Sequence, residues 1–172
     1  MRELQHATVD APPASFDDFY VREFRGVLAL VYALTGDRGT AEDIAQEAFL
    51  AAHRSWDRVA TYGQPGSWVR KVAVNLSVSA FRRRMTESKA VQRMADRQSR
   101  APELSTLTAE FWQEVRSLPR RQAQAVALFY LEDRPIAEIA AILGLAQGTV
   151  KRHLHEGRRT LAERLDLHED AP

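Results

Sequence analysis

The chain has 172 residues, 45% of them hydrophobic and 27% charged, the balance of a soluble globular protein with one ordinary domain or two small ones. No apolar run approaches the roughly 20 residues a membrane-spanning helix needs, and residues 1–15 lack the basic start and apolar core of a secretion signal. The absence of cysteine excludes disulfides and thiolate metal sites and fits a cytoplasmic protein.

The net charge of +1 conceals blocks of opposite sign. Asp37, Glu42, Asp43 and Glu47 face only Arg38, whereas residues 54–100 are strongly basic and a second basic group follows at Lys151, Arg152, Arg158 and Arg159. Charge sorted in this way implies partners of opposite sign.

Residues 1–15, with Pro12 and Pro13, read as a disordered tail. Apolar residues from Phe16 to about Leu34 recur at helical spacing, and Gly36 stands where a left-handed cap ends such a helix. Thr40 with Asp43 three residues on resembles a capping box, predicting a second helix to about Trp56 that buries Ile44, Ala48 and Ala51 or Ala52. Its exposed edge carries Asp43, Gln46 and Glu47. After Gly63, Pro65 and Gly66, a third helix is expected over residues 67–84. It mixes Trp68, Arg70, Lys71 and Asn75, a combination of stacking surface, cations and amide that suits single-stranded or distorted DNA, and ends in Arg82, Arg83 and Arg84.

Residues 86–108 are polar and interrupted at Ala101-Pro102, and read as a flexible linker. A second helical unit, residues 109–167, follows before a short tail at 168–172. Pro119 separates its first two helices, and Pro135 opens a third in which Ile136, Ile139, Ala140 and Leu143 point inward. The turn Gly144-Leu145-Ala146 leads to a last helix that buries Val150, Leu154 and Leu161. Two helices around a tight glycine turn form a helix-turn-helix, which lays its second helix in a DNA major groove. That helix carries Thr149, Lys151, Arg152, His155, Arg158 and Arg159 away from its apolar stripe, groups suited to phosphates and guanine edges. His153 and His155, two residues apart, point to different sides of a helix and do not chelate one ion. The expected fold is therefore all-α, two small helical domains joined by a linker, the second holding the helix-turn-helix. No metal or cofactor is expected.

From Phe16 to Leu165 the chain resembles the extracytoplasmic-function sigma factors. The resemblance is carried by Ala41-Glu-Asp-Ile-Ala-Gln-Glu-Ala-Phe-Leu50, by residues 68–84, and by Leu118-Pro-Arg-Arg-Gln122, Tyr130-Leu-Glu-Asp133, Ala137-Glu-Ile-Ala140 and Gly148-Thr-Val-Lys151. It implies a first domain over residues 16–85 that docks on the clamp helices of the largest subunit of RNA polymerase through Asp43, Gln46, Glu47 and Leu50. It further implies that Tyr62, Trp68, Arg70, Lys71, Asn75, Arg82 and Arg83 hold unpaired promoter −10 bases. The second domain, by the same resemblance, meets the flap of the second-largest subunit and reads −35 duplex. An anti-sigma factor is a partner by analogy alone.

The sequence departs from the family's pattern at Ser79, Ala146, Arg152 and Glu156, and its linker is unusually basic. Ala146 removes a side-chain cap from the recognition helix, and Arg152 and Glu156 alter the face that reads −35 DNA. The resemblance ends near the recognition helix, and no further C-terminal domain is expected. Two other readings compete. A dimeric helix-turn-helix regulator of duplex operators would use the second domain but leave the acidic helix and residues 68–84 without a task. A small enzyme finds no phosphate-binding glycine loop, no cysteine and no paired metal-spaced histidines here.

Overall fold

The computed structural model describes residues 15–88 and 106–165, and all regular structure among them is helical. Eight helices are described: α1 (Phe16–Thr35), α2 (Arg38–Arg54), α3 (Trp56–Val59), α4 (Pro65–Ser88), α5 (Thr106–Ser117), α6 (Arg120–Tyr130), α7 (Ile136–Leu143) and α8 (Gln147–Arg164). Most of the expected N-terminal tail, the central linker and the C-terminal tail lie outside the described residues.

Local chemistry accounts for most of the helix ends. The Ser15 side chain accepts from the Asp18 N–H at the start of α1, and Gly36, at φ 70°, ends it with its N–H on the Tyr32 carbonyl. The start of α2 differs from the expected capping box at Thr40 and Asp43. Asp37 is the N-cap, its Oδ1 accepting from the Thr40 N–H at 2.7 Å, so the helix begins nearly a turn earlier. Asp caps at least as well as Thr, and here it reaches the third helical amide. The short helix α3 was not foreseen; it turns the chain so that Trp56 packs on the first core. Pro65 occupies the first position of α4, where its missing N–H costs nothing.

The first core lies between α1, α2 and α4 and is rich in aromatic rings. Phe49 meets Phe19, Tyr20 and Phe24 with ring centres at 5.6, 5.1 and 5.6 Å. Ala52, not Ala51, completes the buried stripe of α2. The second core gathers Trp112, Val115, Leu118, Val126, Leu128, Ile139, Leu143, Val150, Leu154 and Leu161 from α5 to α8. Ile136, expected inside, is only half-buried at its edge.

The two helix groups are not separate bodies in this arrangement. Leu30 and Ala33 of α1 and Val74 of α4 belong to the second core, α4 packs on α7, and α1 packs on α5 and α6. The pairing of α4 with both groups explains why apolar residues run around so much of it. Val69 and Ala73 face the first core, while Val74 faces the second.

Candidate nucleic-acid interface

The helix-turn-helix is formed by α7, a three-residue turn and α8. Gly144, at φ 64°, caps α7 in the left-handed region, with its N–H on the Ala140 carbonyl. Ala146 precedes α8 in extended conformation and supplies no side-chain cap, as the sequence anticipates. Val150, Leu154, Gly157 and Leu161 seat α8 on the core. Gly157 lets α8 sit close: a Cβ there would lie 3.1 Å from Val126 Cγ2.

The opposite face of α8 holds the expected DNA-reading residues. Lys151, Arg152, His155, Arg158 and Arg159 are exposed and Thr149 is half-buried. At 100° per residue, Gly148, Arg152, His155 and Arg159 align opposite the buried stripe, with Lys151 and Arg158 on one flank. A Cβ at Gly148 would meet nothing within 4 Å, so the open N-terminal end of α8 allows close approach of a groove. Three of the arginines have neighbours on or beside α8. Arg152 lies 3.9 Å from Glu156, which accepts from Gln122 at 3.1 Å; Arg159 lies 3.7 Å from Glu163. Arg158 stacks over Phe129 and Tyr130 at 5.1 and 5.4 Å, a cation–π contact that holds it at the rim of the face. His155 is exposed and His153 half-buried, with its Nδ1 unpaired. No group of metal ligands forms among the described residues.

On α2 the expected docking residues share one edge. Asp43, Gln46, Glu47 and Leu50 are all exposed, with Leu50 retaining 49% of its surface. Their spacing of three and four residues places them in line along the helix, while Ile44, Ala45, Ala48 and Phe49 hold the other side in the core.

The expected −10 set divides. Trp68, Lys71 and Asn75 lie on one face of α4; Lys71 and Asn75 are exposed, while Trp68 is half-buried and packs on the first core. Tyr62 is half-buried in the loop before α4. Arg82 and Arg83 lie on α4, but their side chains are outside the described residues.

Arg70, expected among the DNA contacts, is turned to the other side and is only 2% exposed. Its Nη1 donates to Glu23 at 2.7 Å and to the Gly66 carbonyl at 3.1 Å, and its Nε donates to Glu132 of the second group. Burial opposes charge on Arg70, but the two carboxylates outweigh it and raise its pKa. These partners stand 47 and 62 residues away in sequence, and no local pattern joins them.

Burial likewise raises the pKa of Glu23, yet hydrogen bonds and charge from Arg70 and Arg22 prevail and hold it below its usual range. A depressed carboxylate stabilises the folded state above its unfolded pKa and loses that contribution as pH falls through the folded value. Between about pH 5 and pH 3, the parent chain is therefore expected to lose more of its urea stability than Glu23→Gln does. Parallel acid losses would remove Glu23 as a source of that dependence.

Residues 19–87 match the family described as sigma-70 region 2, and residues 108–161 match sigma-70 region 4. The chain is similar to the extracytoplasmic-function sigma factor SigE of Mycolicibacterium smegmatis, 33% identical over an alignment of 165 residues that covers 90% of this chain and 63% of SigE. It thus spans a little under two thirds of that relative. It is also similar to SigW of Bacillus subtilis, 27% identical over 81% of this chain and 82% of SigW. In fold it is similar to the sigma factor RpoE, solved in complex with the anti-sigma factor NepR from Bartonella quintana. That match has a TM-score of 0.75, covers 91% of this chain and 98% of RpoE, and is 23% identical. Both family segments, in order, therefore coincide with the two helix groups, and the chain belongs to the extracytoplasmic-function sigma factors of the sigma-70 family.

Proposed function

We propose that this protein binds core RNA polymerase and directs it to promoters, reading −35 duplex with α8 and holding unpaired −10 bases with α4 and the loop before it. The observation that carries this reading is one chain with two complementary charged surfaces: the exposed acidic edge of α2 and the basic outer face of α8. An acidic edge repels DNA and suits a basic protein surface; a basic recognition helix suits phosphates and base edges. Asp43, Gln46, Glu47 and Leu50 would dock on the clamp helices of the largest subunit, and the second helix group would meet the flap of the second-largest.

On α4, Lys71 and Asn75 supply the exposed cation and amide for the −10 strand, with the edge of Trp68 beside them. The protein performs no bond-making chemistry in this reading; stacking and hydrogen bonds offset the few kcal/mol lost on unstacking a base. It works in the cytoplasm, where its polymerase is. No described helix is long and apolar enough to cross a membrane. An anti-sigma factor is a further partner, by analogy with the complex in which RpoE was solved.

A dimeric operator-binding regulator is disfavoured, because region 2 and its acidic edge would have no role. Run-off transcription with core enzyme on a library of genomic promoters tests the proposal. Specific starts downstream of a shared −35 and −10 pair are expected; tight duplex binding as a dimer without any stimulation of core enzyme would contradict it.

Within α8, Arg152→Ala is expected to weaken −35 binding by about 1–3 kcal/mol and relax preference at the position it reads. Competition binding against scrambled −35 duplexes measures this. An unaltered preference would place base reading elsewhere on the helix.

A further inference from the structure

Glu156 is out of character on a helix that faces DNA. It stands one turn after Arg152, the residue at the centre of the outer face of α8. A carboxylate there repels phosphates, and among base edges it suits a cytosine amino group. The fold does not leave it loose. Glu156 Oε2 accepts from Gln122 Nε2 of α6 at 3.1 Å, and its Oε1 lies 3.9 Å from Arg152 Nε. Its side chain keeps 38% of its surface, against 67% for Arg152.

Gln122 is itself unusual where it stands. It lies where α6 crosses α8, its Cβ only 3.6 Å from a Cβ placed on Gly157. Its Oε1 is buried and has no hydrogen-bond partner among the described residues. An apolar side chain of the same length would fill that space without an unpaired oxygen, so packing gives no reason for an amide here. Glu156 does give one. Turned over, the amide would set its oxygen against the carboxylate, so the donor end must face Glu156.

We propose that Gln122, which lies off the recognition face, is a specificity-determining residue for the −35 element. Its amide N–H holds the Glu156 carboxylate toward α6, and the tethered carboxylate sets the guanidinium of Arg152 for a guanine. This role rests on the proposed reading of −35 duplex by α8. Contact through Nε leaves the terminal Nη pair of Arg152 for guanine O6 and N7. At 3.9 Å the ion pair biases an exposed side chain without gripping it as a bidentate bond would, so a base breaks no strong contact on arrival. The same tether withdraws Glu156 from the groove, where its charge would oppose the phosphates. Gln122 is thus a positioning residue that acts through Glu156 and Arg152.

The test uses the full-length protein bound to core RNA polymerase and a duplex library randomised across the −35 segment, at one salt concentration. The parent is expected to select guanine at one position, and Arg152→Ala to lose that selection. Gln122→Met keeps the size of the side chain and removes both ends of the amide. It should lower the guanine preference at that position by about fivefold, while thermal midpoint and affinity for scrambled duplex stay those of the parent. Gln122→Lys supplies a donor again and should keep the preference. In a Glu156→Ala background, Gln122→Met should change nothing further, because the two residues act in series.

An unchanged guanine preference in Gln122→Met overturns the relay, as does the same loss in Gln122→Lys or a further loss in the Glu156→Ala background. An equal fall on every duplex with a lowered midpoint also overturns it, marking Gln122 as a packing residue. A parent holoenzyme that selects no −35 sequence would remove the proposed function and the relay with it, a result seen before any variant is compared.

Discussion

Reversing the acidic edge of α2, with Asp43→Arg and Glu47→Lys together, is expected to lower affinity for core RNA polymerase at least about a hundredfold and to leave the fold unchanged. Both residues are exposed, one turn apart, so neither substitution removes packing. Arg and Lys are good helix formers, and the pair stays like-charged before and after, so the local helix energetics barely move. What changes is the sign presented to a partner. If docking uses this edge, like charges now face each other across the interface, and both encounter rate and residence suffer.

Fluorescence-detected binding to core enzyme, with circular dichroism on the same samples, separates the two effects. Full affinity in the variant would move docking off α2, and a lowered thermal midpoint would show that the edge also serves the fold. High salt should reduce the difference between parent and variant, because exposed charges are screened over roughly 8–10 Å.

This edge could be read from the sequence because a helix sorts its residues by angle, and the alternation of Ile44, Ala48 and Ala52 with Asp43 and Glu47 reports that angle directly. The helix-turn-helix was legible for the same reason, reinforced by Gly144, whose left-handed φ the turn requires. Asp37 was missed as the cap of α2 because Thr40 offers an equally sensible start, and only the folded backbone decides between two cap residues three apart. Most of what surrounds Arg70 was illegible. A cation on a basic helix reads as a DNA contact until its carboxylates are found, and Glu132 is brought to it by tertiary packing alone. One signal was present: apolar residues on more than one face of α4, with Val69 and Val74 five apart, imply a helix buried from two sides.

On the other side of the same helix, Phe49→Ala is expected to lower folding stability by about 3–5 kcal/mol. Phe49 is 2% exposed and is ringed by Phe19, Tyr20 and Phe24, all from α1, so truncation leaves a cavity whose aromatic walls cannot close without moving that helix. Urea unfolding of the parent and variant measures the loss, and a difference below about 1 kcal/mol would mean the cavity collapses at little cost.

The two α2 variants should then fail in different ways. Phe49→Ala should bind polymerase in proportion to the fraction still folded, recovering as urea is withdrawn, because its docking edge is intact. The Asp43→Arg, Glu47→Lys chain should stay folded and unbound throughout. A Phe49→Ala protein that is fully folded yet unable to dock would show that the aromatic core sets the geometry of the edge as well as its stability.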